Sequence, residues 1–453
     1  MKITNFSHWH YRSKNKRILT WLVGCSSFLW LVIIVPFLSL HNGGVEPIFS
    51  PTNKGNQDRA NYYMAGSIAL NNDFKSLYPI PLKDIDHNAG WPECSTVKPG
   101  YAELAQKKGV ENSHRFILPP PSSFLFIPLA LLPYSVSCWI WSIFLGLCLW
   151  GSCVLSHIIT LRSGGSQIAG LLGWMIWAFS PLALKALRTA NATPILGLAM
   201  GLAAIGIFQN KTLLALFGCV LAGLLKGTSI IFAPLLLFMK RISIIIWGSI
   251  VVILINTCTI LFTGLSVYEE YFTTIFPSTR LLDTYIDNQS IYGFLYRIFG
   301  NVVQAEATMK IIQLAGLFFA ICFVIYLWII RKTLNDQRIF SASVIVLTGI
   351  CLIFSPYNWG HYALCFIPFI TSLWVSIRNS FVKVVLLFSV LLVWLPLIGV
   401  RGGTLLSNEP FTSHMLIGET LITLIAVYTL QSLSKSEQAH PPYCLLRRAQ
   451  GDA

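Results

Sequence analysis

Charge is what this chain has least of. Only 11% of its 453 residues are charged, where a soluble domain carries about 25%; 55% are hydrophobic. That excludes an ordinary soluble enzyme. Acidic residues are scarcer still, 18 against 32 Lys and Arg, for a net charge of +14. In a soluble protein such an excess would suggest nucleic acid. Here the basic residues sit in short loops between apolar runs, where they set orientation against an anionic inner leaflet, so no nucleic-acid partner is expected. The G-x-G-x-x-G, Walker, H-E-x-x-H and G-x-S-x-G patterns are absent. The inner loops are too short for a nucleotide-sugar domain, which needs at least about 50 residues. Any activated donor must therefore arrive through the membrane. There are 11 cysteines, but no C-x-x-C pair and no Cys/His metal spacing. Cys138, Cys148, Cys219, Cys258, Cys322, Cys351 and Cys365 lie inside apolar runs, where the thiol behaves as a small hydrophobe. Cys94 stands alone in the long loop after the first span, so that loop has no internal disulfide. No metal site and no cofactor are expected.

What fills the chain is apolar runs near 20 residues, the length at which a helix crosses hydrocarbon. They occupy 18–41, 117–133, 136–161, 166–184, 192–208, 212–238, 242–264, 311–330, 339–354, 361–377, 381–399 and 412–431. The fold class is all-α, a polytopic membrane protein with about 12 transmembrane helices. The first run is too long for a signal-peptide core and is read as a retained span. Lys2, Arg12, Lys14, Lys16 and Arg17 hold the N-terminus inside. One domain, 1–453, follows: a cytoplasmic N-terminus (1–17), a first extracytoplasmic loop (42–116), a second (265–310) and a cytoplasmic tail (432–453). Segment 117–133 is short and carries Pro128 and Pro133, and 212–238 is interrupted at Lys226-Gly227. If the first is re-entrant and the second is two half-spans, Lys185, Arg188 and Lys226 move to the outer side. Both solutions leave the termini and outer loops in place.

Asp58 follows the first span. The stretch after it, DRANYYMAGSIAL, spaces Tyr62, Met64, Ala65, Ile68 and Ala69 as a short amphipathic helix on the membrane surface. Leu77-Tyr78-Pro79 comes next, and PPPSSFLFIPLALLP opens the second apolar run. Further on lie GLLKGTSIIFAPLLLF (Gly223–Phe238), DNQSIYGFLYRIFG (Asp287–Gly300) and FSPYNWGHYALCFIPF (Phe354–Phe369). In this order the segments resemble those of the polyprenol-phosphate-mannose-dependent mannosyltransferases, glycosyltransferase 87 in type, within the GT-C membrane fold. The chain departs at Ala190-Asn191, where that family often has Gly-Gln.

The resemblance implies a multi-pass enzyme of the plasma membrane, a bacterial inner membrane, with its active site outside the cytoplasm. It would move a hexose, mannose first, from a polyprenyl-phosphate donor to a lipid or glycan acceptor among membrane lipids. Such a transfer needs a base for the acceptor hydroxyl and cations for the departing phosphate. Asp58 is the candidate base. Lys226, His361 and Arg297 are candidate donor-phosphate ligands, with Lys185 and Arg188 ranked last. Arg59, Tyr62, Asn288, Gln289 and Trp359 are candidate acceptor or sugar contacts. Each has an ordinary alternative: a solvated loop acid, a snorkelling lysine, a histidine or tryptophan in an interfacial aromatic belt. A transporter or flippase of lipid-linked sugars would instead place ionisable groups along a path through the membrane. Within the spans there are few, Lys226 and Glu419. A scaffold without catalysis would leave Asp58, Lys226 and His361 apart in space.

Overall fold

The computed structural model describes residues 5–41, 57–79, 98–110, 116–277, 288–299, 306–355, 358, 360–395 and 413–439. Among them the protein is all-helical, with no strands. Helix α1 runs from Asn5–Phe28 through a π-helical turn, Leu29–Ile34, into Val35–His41. Two helices of the first loop follow, α2 (Gln57–Leu70) and α3 (Pro99–Lys108). The body of the molecule comprises α4 (Tyr134–Arg162), α5 (Gln167–Ala178), α6 (Pro181–Arg188), α7 (Thr193–Phe208), α8 (Thr212–Lys226), α9 (Ala233–Phe238) and α10 (Ile242–Thr263). The C-terminal half adds α11 (Ile291–Phe299), α12 (Glu306–Ile329), α13 (Gln337–Ile353), α14 (Ile367–Ser376), α15 (Ser380–Trp394) and α16 (His414–Ala439).

Length and apolarity qualify five of these segments as membrane-crossing, Lys16–Leu38, Tyr134–Arg162, Ile242–Thr263, Ala307–Ile329 and His414–Ser436. The pair α5–α6, bent by 43°, makes a sixth. Ser180 and Pro181 cause that bend. The Ser180 hydroxyl caps α6 by accepting from the Ala183 N–H at 3.1 Å, and Pro181 takes the first helical position, where its missing N–H costs nothing. α7, α8, Thr228–Phe238, α13, Gly360–Ser376 and α15 are shorter apolar helices.

Small residues set how closely these helices approach. A Cβ on Gly146 of α4 would lie 2.2 Å from the Leu31 carbonyl oxygen of α1. One on Gly218 of α8 would lie 2.4 Å from the Ala203 nitrogen of α7. α7 is buried along nearly its whole length, so it forms the axis of the bundle, whereas α10 and α12 expose most of their side chains, as lipid-facing helices do.

Two expectations differ from the structure. Residues 117–133 do not form a span. They make two single helical turns, Ser122–Leu125 and Ile127–Ala130. Pro119, Pro120, Pro121, Pro128 and Pro133 remove backbone donors and crowd the preceding turn. Nor is α2 an amphipathic helix resting half-exposed on a surface, because every residue from Arg59 to Ala69 is buried. It is instead enclosed, with the proline-broken segment as its shelf: a Cβ on Gly66 would sit 2.3 Å from the Phe126 carbonyl oxygen. The Leu77-Tyr78-Pro79 stretch fastens the far end, where the buried Tyr78 hydroxyl donates to the Leu118 carbonyl at 3.0 Å.

Because the shelf touches α2 backbone to backbone, Gly66→Leu is expected to push the helix off it and destabilise the fold by about 1–3 kcal/mol. Thermal unfolding of the purified protein in detergent checks this; an unchanged midpoint would contradict the close approach.

Candidate functional site

The first turn of α2 carries Asp58, held from across the bundle. Asn191, in the turn between α6 and α7, donates its Nδ2–H to Asp58 Oδ2 at 2.9 Å. Its other end is also engaged, since Asn191 Oδ1 accepts from the Thr193 N–H at 2.9 Å. This turn is strapped on both sides. The Trp141 indole N–H donates to the Ala190 carbonyl at 2.9 Å, and the Ala192 N–H donates to the Tyr62 hydroxyl at 3.3 Å. Ala190 has φ +50°, in the left-handed region that favours glycine, at the position where a Gly-Gln pair is common among the proteins the sequence resembles. Tyr62 stacks on Phe126 with centroids 4.6 Å apart and meets Trp141 edge-on at 5.5 Å. Burial first, and then the Asp58 carboxylate, push its phenol well above the usual value. Tyr62 is therefore a neutral hydrogen-bonding group beside Asp58.

Cations close the opposite wall. α8 ends at Lys226 because Gly227, with φ +65°, turns the chain in the left-handed region. The Lys226 ammonium rests 3.4 Å from the centroid of the Tyr362 ring, a close cation–π contact, and lies within electrostatic reach of Asp58. His361, buried, feels the charges of both Lys226 and Lys185. Lys185 projects from α6 to the same place, its Nζ 3.8 Å from where a Cβ on Gly360 would sit. Asp58, Asn191, Tyr62, Lys185, Lys226, His361 and Tyr362 thus converge from α2, the α6–α7 turn, α6, the end of α8 and the Gly360–Phe366 turn.

The remaining expected residues fall elsewhere. Arg297 Nη1 donates to the Asn288 carbonyl at 2.8 Å and Nη2 to Ser413 Oγ at 2.6 Å. Asn288 and Gln289 are buried and bonded to Asn358, so these three residues form a separate polar knot. Arg59, also buried, lies beside Tyr134 at the start of α4. Its Nε and Nη2 have no hydrogen-bond partner among the described residues. Trp359 lies outside the described residues. Two residues of the cluster gain weight from the structure. Lys185 stood last among the expected cations, and Asn191 stood only as a departure from a pattern. The Ala190-Asn191 departure itself was the one sequence signal that fell on the α6–α7 turn.

The model of the glycosyltransferase family 87 matches residues 116–356, more than half of the chain. This protein belongs to glycosyltransferase family 87. The family is of GT-C type, and membership makes the chain a membrane glycosyltransferase, with a sugar donor and an acceptor to be bound. No curated protein matches it in sequence. The family 87 match includes Lys185, Asn191 and Lys226. It begins after Asp58 and ends before His361, so the cluster is assembled from inside and outside the matched region.

The geometry puts Lys185 on the same face as Asp58. α8 carries Lys226 at one end and, at the other, lies next to Asn210, whose side chain accepts from Arg241 Nη1 at 2.7 Å. With accessible native cysteines replaced, Lys185→Cys and Asp58→Cys are expected to react with an impermeant maleimide from one side of sealed vesicles, and Arg241→Cys from the other. Labelling of positions 58 and 185 from opposite sides would contradict the cluster.

Proposed function

We propose that this family 87 protein transfers a hexose, mannose in the first instance, from a polyprenyl-phosphate carrier to a hydroxyl of a lipid or glycan acceptor. The observation that carries this reading is the meeting of one carboxylate, Asp58, with three groups suited to an anion, Lys185, Lys226 and His361. Asp58 takes the proton of the acceptor hydroxyl as the oxygen bonds to the sugar's anomeric carbon. The bond from that carbon to the phosphate oxygen breaks, and its electron pair leaves with the lipid phosphate. Lys185 and Lys226 offset the charge that grows there, in surroundings dry enough for charge pairs to count for more than in water. Asn191 fixes the orientation of the Asp58 carboxylate through Oδ2. Arg297, Asn288 and Gln289 act through the polar knot that supports this wall.

Once 117–133 is removed from the spans and 212–238 is divided at Gly227, about twelve crossings still return both termini to the cytoplasmic side. Lys185, Arg188 and Lys226 then lie outside with Asp58. A carrier-bound donor displayed on the outer leaflet of a plasma membrane reaches such a site without any nucleotide-binding domain.

The test uses protein in nanodiscs supplied with labelled polyprenyl-phosphate hexoses and lipid acceptors. Asp58→Asn is expected to cut kcat by about 10²–10⁴ with donor binding retained, while Lys226→Gln and Lys185→Gln raise the donor KM. Transfer by Asp58→Asn at the wild-type rate would overturn the assignment of the base.

A further inference from the structure

We propose that Glu419 is a positioning residue for the donor-phosphate wall of the site. The inference rests on the glycosyltransferase reading above and deepens it. Glu419 lies in α16, fully buried, in a part of the chain where an unmatched carboxyl is expensive. Its Oε2 accepts from Asn358 Nδ2. Its Oε1 has no hydrogen-bond partner among the described residues, so a single bond to Asn358 is the visible reason for a carboxyl there.

Asn358 is the centre of the knot. Its N–H donates to Asn288 Oδ1 at 2.9 Å, and its carbonyl accepts from the Gln289 N–H at 2.7 Å. Arg297 ties the Asn288 carbonyl to Ser413, next to the start of α16. Three parts of the chain, 288–299, Asn358 with the turn 360–366, and the first turns of α16, are thereby locked in one register. His361 and Tyr362 begin three residues after Asn358, and Tyr362 is the ring on which the Lys226 ammonium sits. Cys365, one turn further, is within electrostatic reach of both Lys226 and Glu419. Glu419 therefore anchors one end of a short lever whose other end carries the cation wall. Loss of the anchor lets the Gly360–Phe366 turn shift, and displacement by about 1 Å at a reacting group can cost ~10²-fold.

The experiment compares Glu419→Leu, Glu419→Asp and Glu419→Gln in the full-length protein in nanodiscs. Glutamine keeps an oxygen for Asn358 at the same reach; aspartate withdraws it by one methylene; leucine removes it. Leucine and aspartate are expected to raise the donor KM roughly 10- to 100-fold and leave the acceptor KM unchanged, with glutamine close to wild type. Amide hydrogen exchange should rise in 288–299 and 358–366 but not in 57–70. If leucine prevents folding, the aspartate variant carries both readouts. A wild-type donor KM with unchanged exchange, equal changes in both KM values, or failure of glutamine to restore them would each overturn the proposal. Should the wild-type protein transfer no sugar at all, the exchange measurement still decides whether Glu419 holds the turn, while the glycosyltransferase reading falls on its own.

Discussion

A carboxylate and a set of cations at the end of an apolar bundle are tolerable only together. Each alone would face a desolvation cost that an apolar wall cannot offset. Brought within reach of one another they lower that cost and gather charge of both signs in one place. Asp58, Lys185 and Lys226 come from three helices with no sequence proximity, and their meeting fixes much of the fold around them. It requires the chain to bend between α5 and α6 at Ser180-Pro181 and α8 to stop at Gly227. It also requires the first loop to fold inward, so that α2 is enclosed beside α4.

The enclosure of α2 gives the site its rigidity. Its N-terminal turn is held by the Asn191 bond, its middle by the Gly66 approach to Phe126, and its outer end by Tyr78. A carboxylate on a surface helix would sample many positions. One on a helix held at three points keeps to a narrow range, which is what the proposed general-base role of Asp58 needs. The cation wall is held in a comparable way from the other side, through Asn358 and Glu419.

Much of this was legible in the residues. Apolar runs near the length of a bilayer crossing marked the helices, and the order of Pro-rich, Lys-bearing and His-bearing segments carried the family. The misread parts share a cause. Residues 117–133 are apolar enough to span, but composition says nothing of backbone donors, and the five prolines decide against a continuous helix. Lys185 ranked last because it qualified only under the alternative in which 117–133 does not cross and 212–238 breaks at Lys226-Gly227. α2 shows polar residues at one end and apolar ones at helical spacing, a pattern shared by a surface helix and one buried against polar groups; only packing separates them. Asn191 could not be paired with Asp58 from spacing, because 133 residues separate them. Arg297 carries the charge of a phosphate ligand, and spacing could not reveal that its guanidinium bonds Asn288 and Ser413.

The most direct measurement is an experimental structure of the protein in nanodiscs with a polyprenyl-phosphate sugar, or an analogue whose anomeric bond cannot break. The account predicts density for the phosphate within hydrogen-bond reach of Lys185, Lys226 and His361, with the anomeric carbon turned toward Asp58. A phosphate bound at Arg297 or on the face of Arg241, with Asp58 remote from the sugar, would contradict it.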